Sequence, residues 1–166
     1  MKFIFLLSGD YIDLGAEEVA SLFNIRNYSL RNRLMILNLD NRRSLDELSR
    51  RVALTKNIYK FLFECKVSDL IKIMKSFDWN SVCKHNFCLR KFHLDENNIN
   101  GRIRKSNKAK IKGEKIIFYK NLSEINLAGY VWRSWKSPKV DLENPKTEIN
   151  LFFLKGRIYC HACTFG

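Results

Sequence analysis

The spacing of apolar positions divides the chain into short, separable elements. Lys2–Leu7 is a continuous apolar run, the pattern of a strand buried on both faces. Ala16, Val19, Ala20 and Phe23 recur at i, i+3, i+4 and i+7, the spacing of one helix face. Tyr28–Leu30 and Leu34–Leu39 read as two strands joined tightly near Asn32–Arg33. Ser44 followed by Glu47 forms a capping box that opens a helix with Leu45, Leu48 and Val52 inward. Ile58–Phe63 is strand-like again, and Val67–Met74 predicts a short helix capped by Ser68. The order β-α-β-β-α-β, with a trailing helix, is that of the ferredoxin-like split βαβ unit.

A break falls near Ser76–Asp78. Beyond it, Phe87–Phe92 predicts a strand, Asp95–Gly113 a polar, basic connection, and Lys115–Tyr119 another strand. Asn121 with Glu124 opens a helix that runs to about Tyr130. Asn144–Pro145 marks a turn, and Ile149–Leu154 with Arg157–Cys163 forms a hairpin about Lys155–Gly156. Between these, Val140 and Leu142 are expected to alternate inward while Asp141 and Glu143 face out. The expected fold is therefore α+β, with domains at 1–76 and 77–166.

Charge adds a partner class. The 166 residues carry 30 Lys and Arg against 17 Asp and Glu, a net +13 on a chain that is 46% hydrophobic and so is not a disordered basic tail. The excess is +4 over residues 1–75 (13 basic, 9 acidic) and +9 over 76–166 (17 basic, 8 acidic), which places a polyanion-binding face in the second half. Trp132-Arg133-Ser134-Trp135-Lys136-Ser137-Pro138-Lys139 interleaves two indoles with three cations, the composition of a nucleic-acid surface on which rings stack and cations meet phosphates. Trp132, at the end of the apolar helix, is expected in the core and Trp135 at the surface. Arg90, Lys91, Arg102, Arg104, Lys105, Lys108, Lys110 and Lys112 would extend the positive face.

Other chemistry is sparse. There is no Gly-x-Gly-x-x-Gly and no Walker loop, and the only two prolines are never adjacent, so no S-adenosylmethionine site of the usual kind is visible. Cys160-His161-Ala162-Cys163 has a C-x-x-C spacing, with Cys83, His85 and Cys88 upstream. A strand through 157–163 would send Cys160 and Cys163 to opposite faces, and no metal site is expected. Five cysteines, no export signal and no apolar run of about 20 residues point to the cytoplasm and to no membrane partner. No motif links the three histidines to a nucleophile, so no catalytic residue is assigned. A complete enzyme using the cysteines and histidines stays as the rival class.

Gly129-Tyr130-Val131-Trp132-Arg133 followed by Lys139-Val140-Asp141-Leu142-Glu143-Asn144-Pro145-Lys146-Thr147-Glu148-Ile149 resembles the core signature of THUMP domains, RNA-binding modules of tRNA-modifying enzymes. Phe87-Cys88-Leu89-Arg90-Lys91 looks like their first strand. Phe3–Asp10, Ala16-Glu17-Glu18-Val19 and Leu54-Thr55-Lys56-Asn57 are similar to the N-terminal region of archaeal tRNA guanosine-10 N2-methyltransferases. The resemblance implies a ferredoxin-like N-terminal domain followed by a THUMP-like α/β domain that grips the 3′ CCA end of tRNA. By position, Arg90, Arg133, Lys136, Lys139 and Arg157 are the candidates for that grip. The family's enzymes continue into a methyltransferase domain about where this sequence reaches Gly166. S-adenosylmethionine is accordingly expected on a further catalytic domain or a partner subunit. Thiolation, pseudouridylation and deamination stay open beside guanosine N2-methylation, as does a general RNA-binding or chaperone role.

Overall fold

A computed structural model describes residues 1–39, 50–94, 122–137 and 139–164; the helix expected at Ser44, the strand at Lys115–Tyr119 and the basic connection lie outside them. The described elements are β1 (Lys2–Leu7), α1 (Ile12–Leu22), β2 (Ser29–Arg31), β3 (Leu34–Asn38), β4 (Thr55–Lys66), α2 (Leu70–Ser76), β5 (Phe87–His93), α3 (Glu124–Ser134), β6 (Thr147–Leu154) and β7 (Arg157–Thr164). They fall into two compact units. One is Met1–Leu62 with Leu94, and the other comprises Phe63–His93 with the described residues from 122 onward. Among the described residues, no helix is long and apolar enough to cross a membrane.

In the first unit β1 is central, antiparallel to β3 and to β4, with β2 outside β3. The order β2-β3-β1-β4 is that of a ferredoxin-like sheet. Central placement explains why the β1 run is apolar throughout: Phe3, Phe5 and Leu7 pack on Ala16, Val19 and Ala20 of α1, and Ile4 and Leu6 are buried on the other face. The tight β2–β3 joint forms where expected, with Asn32 at φ 53°. Arg33 is buried there because its guanidinium donates to the Leu7 carbonyl from Nε at 3.1 Å and from Nη2 at 2.9 Å. Glu18 reaches from α1 to accept the backbone N–H groups of Ala53 and Leu54 at 2.8 and 2.9 Å. Gly15 allows that approach, since a Cβ there would stand 3.3 Å from the Leu54 Cβ.

In the second unit β5 and β6 are parallel, joined through α3, and β6 and β7 form the expected antiparallel hairpin. Lys155 and Gly156 both take positive φ, 47° and 75°, the geometry of a two-residue hairpin turn that matches strand twist. Helix α3 packs on β5 and on α2, burying Leu127 and Val131.

Several local expectations are corrected. The segment after β4 opens as a 3-10 turn (Val67–Asp69) before α2, and Ser68 bonds Asp69 instead of capping. Helix α3 is capped by Ser123, whose hydroxyl accepts the Asn126 N–H at 3.2 Å, and it runs on to Ser134. Glu124 closes no capping box; it accepts the Lys91 backbone N–H at 2.8 Å and so ties the helix start to β5.

Candidate nucleic-acid interface

The loops at one end of the second unit are fastened by two asparagine side chains. Asn86, just before β5, donates from Nδ2 to Asp141 Oδ2 at 3.0 Å and to the Asn144 carbonyl at 3.2 Å, and its Oδ1 accepts the Lys146 N–H. Asn80 donates to the Ser134 carbonyl at 3.2 Å and accepts the Lys136 N–H at 3.1 Å. Between these clasps the Lys139–Asp141 backbone lies beside β5: Phe87 N–H donates to the Lys139 carbonyl at 2.8 Å, and Asp141 N–H to the Phe87 carbonyl at 3.0 Å.

Asp141 is the inward residue of its segment, reversing the expected alternation, while Val140 and Leu142 are exposed. Its Oδ1 accepts the N–H groups of Glu143 and Asn144 at 3.1 and 2.8 Å. Those backbone donors, led by Asn144, hold its carboxyl below the ordinary range. Only a single bridge forms at Val140, to Phe87, so no strand ladder dictates a two-residue alternation. The strand-like reading failed because an Asp that bonds its own following backbone builds a loop in place of a strand.

Upstream, His85 is held at φ 59° in a turn closed by Asn86 N–H to the Lys84 carbonyl at 2.7 Å, while Lys84 N–H donates to Thr147 Oγ1 at 3.0 Å. Positive φ at a non-glycine residue persists where neighbours over-determine it, which the Asn86 and Thr147 bonds do. The outcome is a rigid platform from which Lys84, His85, Lys136, Lys139 and Lys146 stand exposed, with Arg133 in the last turn of α3. Sequence reading missed Lys84, His85 and Lys146. Their signal was adjacency to β5 and β6, whose parallel register sets Phe87 opposite Thr147.

The other expected residues divide. Trp135 leaves the helix in extended geometry and sets its ring edge-on to Phe87 at 5.7 Å, half-buried. Trp132 is the exposed indole, so the expected roles of the two are exchanged. Arg90 donates to the Leu142 carbonyl at 3.2 Å and lies 3.9 Å from Glu148. The Lys91 ammonium donates to the Leu122 carbonyl at 3.0 Å, and half-burial lowers its pKa. Arg157 pairs with Glu64 beside the hairpin turn, apart from the loop cluster. Arg102, Arg104, Lys105, Lys108, Lys110 and Lys112 lie outside the described residues.

The thiols offer no activated group. β7 runs through both Cys160 and Cys163, so their side chains leave opposite faces, and burial pushes the Cys83 thiol up to about 12 and Cys65 up to about 11. Among the described residues no cluster of His, Cys, Asp or Glu has the grouping of a metal site.

Replacing Asn86 with Ala is expected to cost about 2–3 kcal/mol, since it removes two donated bonds and leaves the Lys146 N–H without its acceptor. Urea unfolding measures the loss, which should far exceed that of Lys84→Ala.

No family model and no curated protein matches the chain. Solved structures do. TrmN from Thermus thermophilus aligns over 99% of this chain and 46% of its own, at TM-score 0.62 and 10% identity. PH1313 from Pyrococcus horikoshii aligns over 99% and 54%, at 0.56 and 13%. A 4-thiouridine synthetase solved with RNA and bound ATP aligns over 98% and 40%, at 0.58 and 12%. The chain thus spans about half the length of these proteins or less. At such identities the likeness is one of fold, and that fold is α+β, with a ferredoxin-like sheet order in the N-terminal unit.

Proposed function

We propose that this chain is the tRNA-binding part of a tRNA-modification system, cytoplasmic, that recognises the 3′ CCA end. The observation that carries the reading is the latched loop cluster, which holds Lys84, Arg133, Lys136, Lys139 and Lys146 exposed at one end of the second unit. Cations carried on a latched backbone meet phosphates without the loop first having to be ordered. The RNA bound to the 4-thiouridine synthetase of the same fold supports the assignment. Guanosine N2-methylation is the reaction the sequence resemblance favours, carried out by a methyltransferase domain or subunit that binds S-adenosylmethionine. The thiouridine relative keeps thiolation as the second reading, and reconstitution with a candidate catalytic partner separates the two by whether methyl or sulfur enters tRNA.

Binding is tested with the full chain and labelled tRNA. Affinity should fall roughly fifty-fold between 50 and 200 mM salt, as about four phosphate contacts to a single strand require. Trimming the CCA end should weaken binding about tenfold, and equal affinity for trimmed tRNA would sink the CCA assignment. Arg133→Ala with Lys136→Ala should weaken binding, whereas changing Cys160 and Cys163 to Ser should leave the affinity of the folded protein for RNA unchanged.

A further inference from the structure

Helix α3 turns an apolar stripe away from the sheet. Leu127 and Val131 bury its inner side, while Ile125 is 84% exposed and Trp132, two turns on, is 46% exposed. Gly129 lies between them, four residues after Ile125 and three before Trp132, on the same side. A solvent-facing helix surface is ordinarily polar, so two large exposed apolar side chains on one side need a reason.

Gly129 needs one too. A Cβ there would meet nothing within 4 Å, and its φ is not left-handed. Alanine would fit this position and favour the helix about fivefold. The fold of the described residues therefore gives no ground for glycine, whereas close approach of an outside molecule does.

We propose that this face is a stacking platform for unpaired RNA bases, with Trp132 as the stacking ring and Gly129 keeping the approach flat. Charge selects the occupant. Arg133 adjoins the stripe, Lys136 and Lys139 follow it, and all three are exposed. The acidic Glu124 is already engaged with the Lys91 N–H. Flat apolar faces carried on a polyanion describe single-stranded RNA, whereas a duplex hides its base faces. The inference rests on the RNA-binding reading and deepens it, since it names the helix face and the ring on which unpaired bases stack.

The test uses the full chain with a single-stranded oligoribonucleotide and a duplex of the same sequence. Trp132→Ala should weaken single-strand binding roughly tenfold and duplex binding less than twofold, with Trp132→Phe retaining most of the affinity. Wild-type tryptophan fluorescence should be quenched by the single strand, and the quench should vanish in Trp132→Ala. Gly129→Ala should raise the unfolding midpoint yet lower single-strand affinity. Unchanged single-strand affinity in Trp132→Ala, or equal losses for strand and duplex, would overturn the platform. The wider reading would survive that result if Arg133→Ala and Lys136→Ala still weakened binding. A wild-type chain that binds neither RNA would overturn both. A dimer in sedimentation that Trp132→Ala dissolves would assign the face to a protein partner, against the proposal.

Discussion

Replacing Trp79 with Ala should destabilise the protein by about 3–5 kcal/mol, the range for truncating a large aromatic in a packed core. Trp79 is fully buried at the start of a 3-10 turn, Trp79–Ser81, which follows α2. Its ring stands 4.7 Å from Phe77 and edge-on to Phe63 at 6.3 Å. Its Nε1–H donates to the Met74 carbonyl at 2.8 Å, one of the orphan acceptors at the end of α2. Alanine therefore opens a cavity and strands a buried acceptor together. Trp79→Phe separates these terms: it keeps most of the packing and loses the hydrogen bond, so about 1–2 kcal/mol is expected. The consequence reaches the site because the next residue is Asn80, whose side chain holds Ser134 and Lys136. Equilibrium urea unfolding measures the first effect and tRNA affinity of the folded fraction the second. Near-equal losses for the Ala and Phe variants would show that cavity formation is not the dominant cost.

The elements that could be read in the sequence were those fixed by neighbours in the chain. The β1 run, the Ala16–Val19–Ala20 face and the Lys155–Gly156 turn each follow from local sterics or from a period that repeats within a few residues. The Trp assignment failed because it depended on where α3 ends. With the helix extending to Ser134, Leu127 and Val131 set the inward phase, and Trp132, one residue past Val131, is rotated off the core side. Trp135 then falls beyond the helix and finds Phe87. The clasp residues were illegible for another reason. Asn80 and Asn86 act on partners 54 to 60 positions away, through side-chain bonds to loop backbone, and no local pattern encodes such a pairing. The candidate surface was thus half visible: its cations after α3 could be read from composition, and the loops that complete it only from the β5–β6 register.

Stability should fall as pH drops below about 6.5, and His161 should be the principal cause. His161 is fully buried on β7, opposite Asn150 of β6, with its ring 4.4 Å from Phe152. Burial disfavours its charged form and lowers its pKa from 6.5 to about 3. The folded pKa lies below the unfolded one, so above pH 6.5 both states hold neutral imidazole and nothing is lost. Below 6.5 the unfolded chain gains a proton that the folded chain refuses, and unfolding becomes easier until about pH 3. The slope is about 1.4 kcal/mol per pH unit, so roughly 2 kcal/mol should be gone by pH 5. Asp141 works in a lower window: its folded pKa is depressed below 3.8, so its contribution is complete above that value and is lost as pH falls through the folded pKa. The two are separable by range and by substitution. Urea midpoints from pH 7.5 to 3 should fall for the native chain below about pH 6.5 and stay nearly flat down to about pH 4 for His161→Gln, while Asp141→Asn should lower the curve evenly above about pH 4 and remove its contribution to the slope below. An undiminished slope in His161→Gln would locate the proton uptake elsewhere. The acid limb therefore comes from filling a β6–β7 position with a group that must stay neutral, which also places RNA-binding measurements at pH 7 or above, where that strand pair is at full stability.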